Sequence, residues 1–536
     1  MASSFVRRSL CLPAALLSAL VATEPIPPPN APAARVAPRD PLITPSAVLN
    51  VPSRTHRRRD IFDDFKSEVD GILSDLGNVP SYVASGIPNF FQGFPTGDDV
   101  QSSLGIDDAQ VSALPTQVLN IPPYANYTDQ GWNVRFHGNV YKQPDTDEEK
   151  LNDLANVFLI DVDIEDLPQS QQEQARNVTA SIFVLQQGNV NVSTIHLEPA
   201  PSQGGDGEPN GGGGVEAQGG TQDITLPYET TDQGDFDVFV PIDSNGLTAG
   251  NETNQIQKLN TYVEGATLGN STAYLVPNTG LTIISDIDDI LRVTKIYEPK
   301  DGLLNSFARP FRPWMNMPSI YSNWSESLPE AHFHYLTTTP EQVTRIYMEY
   351  IYATYPGGSF DTRPLNFSDV SATLSIRKFL LDRIFQTFPE RKFILVADTS
   401  NSDVMKDYPQ MATDYPGSVQ CIFLRNTSAT DSGDKFPYDT SGFKNLKQET
   451  YMFFRTPEDL MNLDIAGGQC YNRSVPQNLT FGYQGLPLGI GDTSSVNGSA
   501  DGSEGGANDN GAAGLHAGSI GWGLMVALGA ALWFGL

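Results

Sequence analysis

Asp286, Asp288 and Asp289 place three carboxylates within four positions, directly after the apolar run Leu281-Thr282-Ile283-Ile284-Ser285. A short run rich in β-branched residues reads as a buried strand. Acids at the carboxyl end of such a strand stand where open α/β sheets place their ligands. Asp286 and Asp288, two apart, can face one site while Ile287 points away. Their mutual repulsion calls for a shared cation, usually Mg²⁺. A lone D-x-D is also the mark of a bland acidic turn, so the partners elsewhere in the chain decide.

Two further strands end in polar groups. Phe333-His334-Tyr335-Leu336 runs into Thr337-Thr338-Thr339, and Phe393-Ile394-Leu395-Val396 runs into Asp398, with Asp403 close behind. Thr339-Pro340-Glu341-Gln342 opens a helix that Ile346, Tyr350 and Ile351 continue on one face. A second helix, over about 375–388, carries Arg377 and Lys378 and closes at Pro389. Residues 421–424 make another strand. Strands alternating with helices imply a parallel sheet with crossovers, whose carboxyl ends share one edge. Asp286, Asp288, Thr337, Asp398 and Asp403 then converge there.

Ser285-Asp286-Ile287-Asp288-Asp289 resembles the first motif of haloacid dehalogenase-type phosphatases. More narrowly it resembles the actin-patch-protein family of phosphatidate phosphatases. Phe333 to Thr337, Lys378, and Asp398-Thr399-Ser400-Asn401-Ser402-Asp403 follow in the order of that family's remaining motifs. The likeness spans roughly 270–465. It implies an α/β fold, a Rossmann-like haloacid dehalogenase-type parallel sheet preceded by a β-rich, sandwich-like domain. It also implies hydrolysis of phosphatidate, or a related lipid phosphate, to diacylglycerol and phosphate through an aspartyl-phosphate.

The resemblance implies roles as well. Asp286 would be the nucleophile and Asp288 the acid and base. Thr337 and Lys378 would hold the phosphoryl charge, with Arg377 as the alternative to Lys378. Mg²⁺ would be held by Asp286, the Asp288 carbonyl and Asp398, with Asp403 nearby. Ile290 stands where the family has threonine, Ala397 where it has glycine, and Ser400-Asn401 replace its Gly-Glu/Gln pair. These departures motivate a rival reading, an inactive cell-surface binding protein on the same fold. A phosphatase for soluble phosphomonoesters is the other rival.

The rest of the chain bears on placement. With 536 residues and a net charge of −30, two or three domains are expected and nucleic-acid binding is disfavoured. Residues 1–22 read as a signal peptide, 23–59 as a disordered Pro/Ala-rich segment, and 60–114 as helical or irregular, with helical spacing at 61–76. Segments 134–141, 158–162, 181–184, 192–197 and 236–240 suggest an antiparallel β-sandwich over 115–275. The glycine-rich run 203–220 reads as a surface insertion. The catalytic domain takes 276–485, a low-complexity linker 486–519, and an apolar tail 520–536. Small residues near Asn510 ahead of that tail resemble a glycosylphosphatidylinositol signal, with a tail-anchored helix as the alternative. Anchoring would put the protein in the secretory pathway and at the cell surface. Eleven N-x-S/T sequons, among them Asn126, Asn177, Asn191, Asn251, Asn270, Asn323, Asn366 and Asn426, and the pair Cys421 and Cys470 fit that route. Two buried free thiols are the alternative for the cysteines. His332 and His334 read as a packed strand pair.

Overall fold

In the computed structural model the described residues are 97–159, 162–192, 194–200, 214–266, 270–295, 297–363, 376–431 and 440–477. The signal, the 61–76 helix, the linker, the tail, Asn510 and Asn366 lie outside them. Among the described residues no helix is long and apolar enough to cross a membrane.

Ten strands build the upstream sheet: β1 (Thr116–Asn120), β2 (Tyr124–Thr128), β3 (Gly131–Lys142), β4 (Leu185–Gln186), β5 (Ile195–Pro199), β6 (Val215–Glu216), β7 (Gln222–Ile224), β8 (Asp235–Pro241), β9 (Gln257–Tyr262) and β10 (Ser271–Val276). They run β1-β3-β2-β10-β9-β5-β7, with β4 and β8 on β3 and β6 on β9. An antiparallel sandwich is therefore corrected to one mixed sheet, with β2/β10 and β6/β9 parallel. Strand β3 joins much of it into one sheet, its twelve residues being long enough to pair antiparallel with β1, β2, β4 and β8 along its length.

Two expected strands are helix ends. Helices α1 (Gly97–Leu104) and α2 (Asp108–Ala113) precede the sheet, and α3 (Glu148–Phe158) and α4 (Gln169–Ile182) interrupt it. Asp147 caps α3, accepting from Lys150 N–H at 2.8 Å. Leu154, Ala155, Phe158 and Leu159 share one face of α3, which packs with Ala175, Val178 and Ile182 of α4. Over four or five residues such a stripe looks like a strand. The glycine-rich run is also more than an insertion. Gly214 has φ 113°, and a Cβ there would stand 2.2 Å from the Ile256 carbonyl oxygen. Glycine thus lets β6 lie against β9.

The downstream sheet is wholly parallel. Strands β11 (Leu281–Ser285), β12 (His332–Pro340), β13 (Ser359–Arg363), β14 (Lys392–Asp398), β15 (Val419–Arg425) and β16 (Tyr451–Phe454) run in the order β13-β12-β11-β14-β15-β16. The crossovers include α5 (Pro299–Phe307), α6 (Met317–Ser327), α7 (Glu341–Thr354), α8 (Ile376–Thr387) and α9 (Ser402–Asp414). Successive side chains divide between the faces. Ile283, Phe333, Ile394 and Phe423 pack with α6 and α7, while Ile284, Leu336, Leu395 and Leu424 pack with α8 and α9. Helices cover both faces, as the apolar strands require. Cys421 and Cys470 form a disulfide with Cα atoms 5.2 Å apart, closing 49 residues. A loop of that size is worth about 4 kcal/mol on the chain-entropy view.

The two sheets are fused. Phe360 N–H donates to the Pro122 carbonyl at 3.0 Å. Buried Arg135 of β3 reaches Asp361 of β13 at 2.7 Å and Asp237 of β8 at 2.8 Å. His334 Nε2 meets Asp361 at 3.0 Å and His332 Nε2 meets Ser359 Oγ at 2.9 Å, so these histidines are packed. Burial alone would raise the Asp361 pKa, but Arg135 and His334 hold it well below the carboxylate range. A depressed folded pKa means stability present above the unfolded value near pH 4 and lost as pH falls below it. Asp361→Asn leaves Arg135 undercompensated and is expected to destabilise by about 3–5 kcal/mol at pH 7. In urea melts the gap to wild type should narrow below about pH 4.

Candidate active site

Strand register sets the level of each group. Ser285 pairs with both Tyr335 and Val396, so Thr337 and Asp398 stand one residue past Asp286 on the same sheet edge. The Asp286 N–H donates to the Val396 carbonyl at 2.8 Å, and its Oδ1 accepts from Ile287 N–H at 2.9 Å. Underneath, Tyr321 donates to Ser285 Oγ at 2.6 Å and Ser285 to the Asp286 carbonyl at 2.7 Å. The Asp286 backbone is thus held on both sides, through its N–H and its carbonyl, while Ile287 N–H holds the carboxylate.

Each acid of the motif meets a buried arginine. Arg377 Nη2 lies 3.1 Å from Asp286 Oδ2, and its Nε and Nη1 are buried without a partner among the described residues. Arg292 donates to Asp288 Oδ1 from Nε at 3.0 Å and Nη2 at 2.7 Å. Its guanidinium lies against both Phe311 and Tyr347, 5.1 and 4.5 Å from the ring centroids. Arg425 donates to the Asp289 carbonyl and lies 3.8 Å from Asp289 Oδ1. Asp289 has φ 55°, the left-handed region. Its Oδ1 accepts from the N–H groups of Thr294 at 3.1 Å and Lys295 at 2.8 Å, which holds that turn.

Lys378 is elsewhere, which corrects the expectation that it faces the phosphoryl group. Its Nζ binds Asp382 at 2.9 Å and Asp414 at 3.0 Å on the outer side of α8. Adjacent residues on a helix differ by about 100°, so only one can face inward. That residue is Arg377, which is 1 % exposed. Thr337 is buried at the edge, its Oγ1 accepting from Thr339 N–H at 3.1 Å and Tyr347 at 3.3 Å. Its own hydroxyl proton remains to donate.

Asp398 closes the group. Its Oδ1 accepts from Ser400 N–H at 2.7 Å and from the Ser400 hydroxyl, while Oδ2 is buried without a partner among the described residues. Burial raises its pKa well above the usual range, and the nearby charges of Asp289 and Asp286 add to it. Asp403 stands in the first turn of α9, capped by Asn401. Burial first, then Asp407, push it to about 7. Asp286 is raised to about 6, by burial with Asp288 adding and Arg377 opposing. An orphaned carboxylate oxygen beside another buried carboxylate fits a hard divalent cation, which needs only one or two carboxylates. No cage of three or more His, Cys, Asp or Glu side chains occurs among the described residues.

The departures from the family pattern have local explanations. Ile290 is fully buried in the core with Ile287, Leu291 and Trp314. A hydroxyl still serves the acidic pair, because Thr294 donates to Asp288 Oδ1 at 2.7 Å. Ala397 faces the opposite core, and Ser400 and Asn401 hold Asp398 and cap α9. Sequence reasoning missed Arg292, Thr294 and Arg425. Arg292 follows Asp288 by four residues and Arg425 ends a strand, which are the signals that mark them. In metal-free protein the Asp286 carboxyl is expected to titrate near the value above. It should move up in Arg377→Met and down in Asp288→Asn, read by ¹³C NMR of labelled aspartate.

Residues 281–426 match the family model of the phosphatidate phosphatase APP1 catalytic domain. Phosphatidate phosphatase APP1 of Saccharomyces cerevisiae is 27% identical over 153 residues, covering 27% of this chain and 26% of that protein. The alignment therefore spans about a quarter of the relative's length. The matched segment starts with β11 and ends just past β15, and it contains Asp286, Asp288, Thr337, Arg377, Asp398 and Asp403. Over that segment the chain is similar to the phosphatidate phosphatase APP1 catalytic-domain family.

Proposed function

We propose that the chain is a Mg²⁺-dependent phosphatase that hydrolyses phosphatidate, or a related lipid phosphate, to diacylglycerol and phosphate. The observation that carries this is Asp286 itself, a buried carboxylate at the end of the central strand, held by Arg377 beside the orphaned Asp398 Oδ2. The family match supports the phosphatase class, and the lipid substrate follows the relative's name.

Asp286 attacks phosphorus, forming the carboxyl–phosphate bond as the bond to the glycerol oxygen breaks. Asp288 gives its proton to that oxygen. Arg292 and Thr294 all donate to Oδ1, so the proton is carried on Oδ2. Water then attacks the phosphoryl-aspartate, gives its proton to Asp288, and releases phosphate and Asp286. Thr337 and the unpartnered nitrogens of Arg377 donate to the phosphoryl oxygens throughout. Asp286, the Asp288 carbonyl and Asp398 would hold Mg²⁺, with Asp403 close by. The ion would lessen repulsion between the anionic nucleophile and phosphate.

We also propose that the protein works at the cell surface, held by its C-terminal tail through a lipid anchor or helix. The Cys421–Cys470 disulfide suits an oxidising compartment. Sequon residues Asn177, Asn191, Asn251, Asn270 and Asn323 are exposed and available to glycan. Among rival readings, an inactive binder is disfavoured by the intact set of acids and arginines.

Phosphate release from dispersed phosphatidate is expected to need Mg²⁺ and to fall by roughly 10³-fold or more in Asp286→Asn. Retained activity in that variant would sink the proposal. Arg377→Met should lose about 10²-fold. Lys378→Ala should stay within about twofold, as for a surface ion pair.

A further inference from the structure

We infer that the rim formed by the 309–316 loop and the 455–462 turn is the surface by which this domain meets an anionic phospholipid bilayer. The inference deepens the lipid-phosphate reading and rests on it. Residues 302–325 contain no Asp or Glu in a chain that has 63 of them. Within that stretch Arg309 pairs with Asp301. Arg312 is exposed, and no side-chain partner meets it among the described residues. Arg455, on the neighbouring turn, is in the same state. Met315 is 55 % exposed and Met461 43 %, two of the four exposed large hydrophobics among the described residues. The other two, Val215 and Tyr228, belong to the upstream region.

Arg312, Met315, Arg455 and Met461 form one rim, because α6 packs on the 457–460 turn and Trp314 packs on Phe454, ring centroids 6.1 Å apart. The turn also carries the exposed Glu458 and the half-buried Asp459, whose Oδ2 accepts from the Arg455 and Thr456 N–H groups at 2.8 and 3.1 Å. The rim also borders the site. Trp314 lies 4.3 Å from the Arg425 guanidinium, and Arg425 holds the Asp289 carbonyl. Val293 N–H donates to the Arg312 carbonyl at 2.9 Å. Arg312 and Met315 are thus each next to a residue that is tied to the acidic motif.

Two guanidinium forks match lipid phosphates, and two flexible thioethers suit the headgroup–acyl boundary. The chain's net charge of −30 repels an anionic surface, so the acid-free stretch 302–325 is where approach is favoured. Docking there turns the carboxyl edge of the parallel sheet toward the bilayer, where a lipid phosphate has the shortest path to Asp286.

The test compares full-length wild type with Arg312→Glu/Met315→Asp and with Arg455→Glu/Met461→Asp. The readout is binding to phosphatidylcholine–phosphatidate vesicles divided by binding to phosphatidylcholine vesicles, a ratio to which an uncharged tail contributes nothing. Wild type is expected to favour the anionic vesicles by about tenfold or more, and each variant to lose most of that preference. Turnover of vesicle phosphatidate should fall in parallel, while turnover of a water-soluble phosphomonoester stays at the wild-type rate. An unchanged ratio, or equal loss on both substrates, overturns the inference. Wild type without phosphatase activity would instead refute the proposed reaction, and the binding ratio would still judge the rim.

Discussion

Four buried carboxylates share one end of a parallel sheet, and their mutual repulsion is the constraint that the rest of the site answers. Asp286, Asp288, Asp289 and Asp398 are all largely removed from solvent, where like charges a few ångströms apart interact far more strongly than in water. The chain buries three arginines among them, from three different elements: Arg292 after β11, Arg377 on α8 and Arg425 at the end of β15. Four anions against three cations leave a deficit, and it falls on Asp398. Burial and the charges of Asp289 and Asp286 raise its carboxyl well above the usual range, and its Oδ2 has no partner among the described residues. That local excess of negative charge is where the proposed cation would be held.

The arginines are themselves costly to bury, which ties the site to the core around it. Arg292 is packed against Phe311 and Tyr347, and Arg425 lies over Trp314. Aromatic faces offer a cation some compensation for lost water. The segment between β11 and β12, which supplies Phe311, Trp314 and Tyr321, is therefore part of the electrostatics of the site as well as a crossover. On the other side, the upstream sheet contributes Leu119, Ile121 and Tyr141 to one core and Tyr124, Tyr274 and Val276 to the other. Arg135 and Asp361 close that seam. The upstream region lies outside the matched segment, yet it shares the parallel sheet's apolar faces.

Much of the parallel sheet was legible because its strands are continuous apolar runs that end in polar residues, and that pattern survives in one dimension. Asp286, Thr337 and Asp398 could be read as neighbours from strand ends alone. The upstream region was less legible. Its long strand β3 serves several partners, which local alternation does not reveal, and the helical faces of α3 and α4 were short enough to pass for strands. Lys378 was misplaced for a related reason. A basic dipeptide on a helix does not say which member faces inward until the helix is docked.

By itself the sequence determined the acidic strand end, its order with the other motif residues, and the α/β character of the downstream half. These depend on local composition and on the period of apolar residues. Only the tertiary structure decided which arginine meets which aspartate, that Thr294 brings a hydroxyl to Asp288, and that Asp398 keeps an oxygen unsatisfied. Those are properties of side chains from distant elements competing for the same buried space, and no spacing along the chain encodes them.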